Sequence, residues 1–138
     1  MEKEDRINLV KYRIDRAVET LAEIEDLKRL GYYNTAVNRM YYACFYAANA
    51  LLVANGIEVK SHASVRNSLS LHFVKEGILP REYGKFYSLI FAKRTSGDYE
   101  DFFTHDISTV EMLLPQTKRF VEIVKHIVDQ WLAKEYIK

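Results

Sequence analysis

The residues whose chemistry could most easily act together lie in one short stretch, "RTSGDYEDFFTH", residues 94–105. Arg94 opens it and His105 closes it, with Asp98 and Tyr99 between them. An arginine can hold a phosphate group, and a histidine can transfer protons near neutral pH. Because the helical pattern before Arg94 breaks here, the stretch is either a group of catalytic side chains or the structural end of a helix.

Asp98 favours the structural interpretation of this stretch. Its carboxylate is ionised at pH 7 and repels a phosphate, unless burial raises its pKa. If the helix continues, Asp98 lies four residues after Arg94 and can neutralise it in an ion pair. In the alternative arrangement, a loop brings His105 back to Arg94. The candidate catalytic residues are Arg94, Asp98, Tyr99 and His105.

A second candidate site lies within an otherwise apolar segment, residues 33–54, which contains Arg39. A buried guanidinium without a partner is very costly, so Arg39 must have one. The partner is either a carboxylate of the first helix, Glu25 or Asp26, or a bound phosphate.

Aromatic and polar residues follow Arg39 on the same segment. Tyr42, Tyr46 and Asn49 lie within about one helical turn of each other on one flank. Tyrosine rings near arginines can stack on bases, although such a face more commonly packs in a core or a dimer interface. His62, beside a predicted helix start, can shuttle a proton, bind an anion or make a cap or loop contact. The candidate binding residues are Arg39, Tyr42, Tyr46, Asn49 and His62.

Helices must position all of these candidates. The chain contains 5 glycines and 2 prolines, and this scarcity favours a few long helices over a sheet. Apolar residues recur at spacings of three and four along the long segments. The predicted helices cover about residues 5–30, 33–54, 61–76, 80–94 and 108 onward. We therefore predict an all-α, up-and-down bundle of four to five helices.

Particular residues mark the predicted helix ends. Ser61 or Ser64 caps the third helix, and the "SGD" of residues 96–98 breaks the fourth. The "STVE" of residues 108–111 is a capping-box pattern that opens the last helix, and Pro115 should kink that helix near its start.

Composition limits the class of protein. At 138 residues the chain is predicted to form a single domain, and its net charge of +1 means that any polyanion site must be a local patch. The single cysteine, Cys44, excludes an internal disulfide and indicates a buried thiol in a reducing compartment. The N-terminus is charged and no apolar stretch is long enough for a membrane span, so we expect a soluble cytoplasmic protein.

Residues 31–52, "GYYNTAVNRMYYACFYAANALL", resemble the second helix of HEPN-domain proteins, in which an Ala-x-x-Arg approach leads into a Tyr-Tyr-Ala run. Three further pieces follow in order: "KSH" at residues 60–62, "HFVKEGIL" at residues 72–79, and Arg94-x-x-x-Asp98-Tyr99. The ordered set covers nearly the whole chain and is similar to the small stand-alone branch of that family.

This resemblance implies a helical bundle that forms a homodimer, often encoded beside a minimal nucleotidyltransferase as a toxin-antitoxin-like pair. Active members of the family are metal-independent ribonucleases. Their motif places an arginine at the end of the penultimate major helix, followed by a polar residue, three to five more residues and a histidine. In this chain Asp98 and Tyr99 occupy the place of that histidine. By analogy with such pairs, Tyr99 is also a candidate acceptor of a nucleotide added by the partner.

Two functional hypotheses follow from the resemblance and from this departure. The first is a non-catalytic component of a toxin-antitoxin-like or nucleotide-stress system that binds RNA, a nucleotide or a nucleotidyltransferase. The second is a metal-independent endoribonuclease toxin that acts through the altered motif. We expect no cofactor and no metal, since no histidine has a glutamate three residues before it, as a di-iron bundle would require.

Overall fold

The computed structural model of the chain describes residues 1–137, and that part consists of α-helices without a β-strand. The helices are α1 (Lys3–Arg29), α2 (Tyr33–Ala54), α3 (His62–Leu69), α4 (Arg81–Tyr99) and α5 (Ile107–Ile137). The prediction of an all-α bundle is confirmed. Not one of these helices has a stretch long and apolar enough to cross a lipid bilayer.

α2 is the central helix of the bundle. It packs against α1, α3, α4 and α5, and residues such as Met40, Tyr41 and Leu52 have no solvent exposure. This position explains most of the apolar character of α2, because a helix contacted by four others buries most of its surface. One side of it remains half-buried, at Tyr42, Phe45 and Tyr46. Cys44 lies in this core, and burial raises the pKa of its thiol well above the usual range.

α3 begins at a reciprocal cap between Ser61 and Ser64. The backbone N–H of Ser64 donates to Oγ of Ser61 (3.1 Å), and the backbone N–H of Ser61 donates to Oγ of Ser64 (3.0 Å). Ser61 is therefore the cap, which decides between the two predicted serines. After α3 the chain continues as a π-helical turn, Ser70–Val74, and Gly77 at φ +77° ends it.

Two predicted helix ends are wrong. α4 does not break at residues 96–98 but continues to Tyr99. A side chain at Gly97 would place Cβ about 3.0 Å from two ring atoms of His105, so the glycine permits close packing that supports the helix. α5 begins before Ser108, and its cap is Asp106, whose Oδ1 accepts the backbone N–H of Thr109 (2.8 Å). This bond lowers the pKa of Asp106.

Candidate functional site

Arg94 lies in the second-to-last turn of α4 with only 11% of its side chain exposed. Its Nε lies 3.0 Å from Oδ2 of Asp98, so the ion pair predicted from the i, i+4 spacing is present. The Nε–H does not point at that oxygen, so the pair is held by charge rather than by a directed hydrogen bond. Nη2 of Arg94 donates instead to the hydroxyl of Tyr42 (3.2 Å).

Asp98 is also held from α2. Nδ2 of Asn38 donates to Oδ2 of Asp98 (2.8 Å), the same oxygen that faces Arg94. One carboxylate oxygen therefore joins α2 to the end of α4. This arrangement fixes the orientation of the Asp98 carboxylate, which neutralises the Nε side of Arg94. Asp98 therefore has a structural role.

Three tyrosine rings surround the Arg94 guanidinium. Its Cζ lies 5.2 Å from the ring centre of Tyr41, 5.5 Å from that of Tyr42 and 5.4 Å from that of Tyr99. These distances are those of cation–π contacts. Tyr99 is 69% exposed, so it presents to solvent a ring that is already in contact with the arginine.

Arg39 contacts the same tyrosine as Arg94. Its Cζ lies 5.0 Å from the ring centre of Tyr42, so two guanidinium groups share one ring. The predicted ion pair with the first helix is wrong, because Glu25 pairs with a lysine of α5 and Asp26 pairs within α1. Within residues 1–137, Arg39 has no carboxylate at ion-pair distance, and its buried Nε has no hydrogen-bond partner.

His62, the first residue of α3, joins this group of side chains. Its Nδ1 lies 2.6 Å from the hydroxyl of Tyr41, and its ring centre lies 5.9 Å from that of Tyr42 and 4.7 Å from that of Phe45. Burial first, and the charge of Arg94 second, lower the pKa of His62. Both effects favour the neutral imidazole over the imidazolium. The sequence predicted His62 as a separate candidate.

We call this set of side chains the Arg94 cluster; its members are Arg39, Tyr41, Tyr42, His62 and Arg94. Burial raises the pKa of Tyr41 to about 12, so its hydroxyl stays protonated beside His62. Together the members offer two guanidinium groups, a neutral imidazole and phenol hydroxyls in one aromatic setting. Such an arrangement can hold an anion and exchange a proton next to it.

His105 lies outside the Arg94 cluster. It is 3% exposed, its Nε2–H donates to the backbone carbonyl of Lys93 (2.8 Å), and its backbone N–H donates to Oδ1 of Asn34 (2.7 Å). The alternative arrangement, in which a loop returns His105 to Arg94, is therefore not what the structure shows. The ring is bound to the α4 backbone, where it fastens the segment before α5.

Tyr42, Tyr46 and Asn49, predicted to share one flank of α2, have different surroundings. Tyr46 lies 6.1 Å from Tyr42, ring centre to ring centre, but its hydroxyl accepts a hydrogen bond from Arg16 of α1 (3.4 Å). Asn49 lines an open groove of about 740 Å³ that also contains Arg13. Asn49 is thus not part of the Arg94 cluster, whereas Tyr46 borders it.

Sequence reasoning missed three contributors to this region. They are Tyr41, Asn38 and Arg66, and none of the three is among the candidates that the sequence predicts. Cζ of Arg66 lies 5.0 Å from the ring centre of Phe91, which itself lies 5.6 Å from that of Tyr41. The one available signal was a polar pair, Asn38 and Arg39, within an apolar helix.

The protein is an all-α bundle in which an arginine near the end of the penultimate helix, Arg94, contacts tyrosine rings. Residues 10–127 match the HEPN domain family, and the chain belongs to that family. The resemblance inferred from its motifs is therefore confirmed.

Relatives extend over most of the chain. A UPF0332 protein of Thermotoga maritima is 32% identical over 125 residues, which is 91% of this chain and 95% of that protein. A Methanocaldococcus jannaschii protein named "Putative toxin" is 32% identical over 122 residues, 86% of this chain and 88% of that protein. A UPF0332 protein of Gloeobacter violaceus is 32% identical over 120 residues, 85% and 94% of the two chains.

Proposed function

We propose that this chain is the RNA-binding component of a toxin-antitoxin-like system and that it holds an RNA phosphate at the Arg94 cluster. The observation that carries the proposal is the placement of Arg39 and Arg94 on one tyrosine ring, with a single carboxylate, Asp98, to neutralise them. The cluster therefore keeps a positive charge. A phosphate would supply Arg39 with the anionic partner that it lacks.

The aromatic rings support RNA over an isolated inorganic anion. Tyr99 is exposed and Tyr42 is half-buried, and both contact Arg94. Unpaired bases stack on exposed tyrosine rings beside cations, and each stacked base contributes about 1–3 kcal/mol. The cluster is thus suited to a single-stranded segment, whose bases are free to stack.

The toxin-like role and the nucleotidyltransferase partner are supported by different observations. The Methanocaldococcus jannaschii relative carries the name "Putative toxin", and this supports a toxin-like role here. Pairing with a minimal nucleotidyltransferase, and dimerisation of the chain itself, rest on the resemblance to the stand-alone HEPN branch.

A second candidate function is metal-independent cleavage of the bound RNA, and His62 favours it. Its neutral imidazole contacts both Tyr41 and Tyr42, the same two rings that Arg94 contacts. In the tautomer in which Nδ1–H donates to the oxygen of Tyr41, Nε2 is free to accept a proton from a ribose 2′-hydroxyl. The 2′-oxygen would attack phosphorus as the P–O5′ bond breaks, and the leaving 5′-oxygen would take a proton from water, which yields a 2′,3′-cyclic phosphate and a 5′-hydroxyl. The proton on Nε2 would then return to solvent.

One experiment tests both functions on the same samples. Labelled transfer RNA and a labelled single strand are incubated with the protein in a chelator, and both binding and cleavage are scored. Wild type is compared with Arg39→Gln, His62→Gln and a control, Arg29→Gln, which removes an exposed arginine of α1 paired with Asp26. We expect Arg39→Gln to weaken binding about tenfold, equivalent to about 1.4 kcal/mol, and the control to bind like wild type.

The outcomes separate the two functions. Wild-type protein that binds neither RNA, or equal affinities for Arg39→Gln and Arg29→Gln, would remove the proposed site. Cleavage that disappears in His62→Gln while binding persists would establish the ribonuclease. Binding without any cleavage would identify a non-catalytic RNA-binding module.

A further inference from the structure

A second groove lies between the π-helical turn after α3 and the first half of α4, with a volume of about 850 Å³. Its cations are Lys75, Arg81 and Lys85, and its neutral polar side chains are Asn67, Ser70 and Ser88. Within the part of the chain that the structure describes, no aspartate or glutamate lines it. We call it the α3–α4 groove. All of its charged groups are positive, although the whole chain has a net charge of only +1.

The three cations of the α3–α4 groove have no ion-pair partner among the residues that the structure describes. Basic residues elsewhere form ion pairs, such as Arg29 with Asp26 and Lys125 with Asp129. Positive side chains that face one groove without a counter-charge repel each other. They also produce a local potential that attracts an anion.

The shape of the groove depends on a glycine. A Cβ atom at Gly84 would lie 2.8 Å from Cγ2 of Val74, closer than side chains approach each other. Only glycine lets the π-helical turn come this near to α4. Because Arg81 and Lys85 are four residues apart on α4, they project from the same side of the helix, and both line the groove about 6 Å apart along the axis.

α4 links the α3–α4 groove to the Arg94 cluster, since it carries both Arg81 of the groove and Arg94 of the cluster. Phe91 follows Ser88 by three residues on α4, and Arg66 of α3 stacks over its ring at 5.0 Å. From Arg81 to Arg94 the helix rises about 20 Å. A stacked single strand advances about 3.4 Å per nucleotide, so about six nucleotides span this distance.

We propose that the α3–α4 groove binds the phosphate backbone of the same RNA strand that the Arg94 cluster holds. The proposal rests on the proposed function and extends it from one phosphate to a strand of about six nucleotides or more. The lining favours a phosphate backbone over an acidic protein. It offers hydrogen-bond donors from six side chains, whereas Leu71 is its one large apolar residue exposed above half.

The test compares two RNA lengths at several salt concentrations. The probes are a single strand of about twelve nucleotides, twice the predicted span, and a fragment of about three nucleotides, which is too short to reach both sites. The test variant is Lys75→Gln with Arg81→Gln and Lys85→Gln. The control removes three charges outside the groove by Lys11→Gln, Lys28→Gln and Lys134→Gln. Circular dichroism compares the helical content of both variants with wild type.

For the longer strand we expect the groove variant to lose at least tenfold in affinity. Its slope of log affinity against log salt should be shallower by about 2, since each lost phosphate contact on a single strand removes about 0.7. The short fragment should bind the groove variant as it binds wild type. The control should leave the slope for the long strand within about 0.5 of wild type.

Failure of the groove and failure of the proposed function look different. If Arg39→Gln weakens both RNAs while the groove variant binds the long strand with an unchanged slope, the groove is not a backbone site and the cluster still is. If wild type binds neither length, both proposals fall. An acidic protein that binds wild type but not the groove variant, with RNA affinity unchanged in both, would assign the groove to a protein partner and overturn the proposal.

Discussion

At the scale of single residues, His62 should make the stability of the protein depend on pH. Its pKa is lowered in the folded state, so the unfolded chain binds a proton more readily near pH 6.5. Stability is then fully present above about pH 6.5 and falls as the pH drops through the lowered folded pKa. We predict that His62→Gln loses less stability than wild type between about pH 7.5 and about pH 5.

Urea unfolding at several pH values between these limits measures this difference. The matched control is His126→Gln, which removes an exposed histidine of α5 and should retain the wild-type decline. If the stability of wild type and that of His62→Gln fall equally as the pH drops, folding does not lower the pKa of His62.

The residue contacts that could be predicted are the local ones. The Arg94–Asp98 pair follows from a spacing of four on one helix, and the structure contains it. The place of His62 does not follow from spacing, because it depends on how the start of α3 packs against α2. The same holds for Arg39, whose guanidinium stacks on a ring of its own helix although carboxylates of α1 were the obvious partners.

At the scale of elements, Asn34 joins the start of α2 to the end of α4 and to the segment before α5, more than 60 residues away in the sequence. From the start of α2 its Nδ2 donates to the carbonyls of Gly97 and Phe103 (both 3.2 Å), and its Oδ1 accepts from His105. We predict that Asn34→Ala destabilises the protein by about 2–4 kcal/mol, since three hydrogen bonds at about 0.5–1.5 kcal/mol each are lost and backbone groups are left unpaired.

Chemical denaturation compares Asn34→Ala with Asn8→Ala, an exposed position on α1. The control should change stability by less than about 1 kcal/mol, because only helix propensity is altered there. If Asn34→Ala also loses less than about 1 kcal/mol of stability, water replaces these three hydrogen bonds at little cost.

Helix content could be predicted from periodicity, whereas two helix ends could not. A glycine inside a helix costs about 1 kcal/mol, and on local grounds "SGD" predicts a break after Arg94. The structure overrides this cost through the close approach of His105 to Gly97. At the start of α5, two capping residues compete, and Asp106 rather than Ser108 provides the bond. Tertiary packing decides both cases, and a single sequence contains no signal for it.

At the scale of the whole molecule, the central place of α2 removes one argument for a dimer. Most of its apolar character is explained within the chain, because the other four helices contact it. What remains on its half-exposed side is a group of neighbouring rings, in which Phe45 lies 5.9 Å from Tyr42 and 6.0 Å from Tyr46. A symmetric dimer through these rings would place two Arg94 clusters near one two-fold axis.

We predict that the wild-type protein has a mass in solution of twice 16.2 kDa and that Phe45→Glu reduces it to the monomer. Two glutamates facing each other across a two-fold axis would be desolvated without a partner, which costs several kcal/mol. Light scattering after size exclusion gives the mass, and circular dichroism shows whether the variant keeps its helices. Tyr12→Glu, at a 57% exposed position on α1, is the control and should remain dimeric. If the Phe45→Glu variant is helical and keeps the dimer mass, the dimer interface does not lie on α2. If the wild-type mass is 16.2 kDa, the protein is a monomer and a single Arg94 cluster must account for all RNA binding.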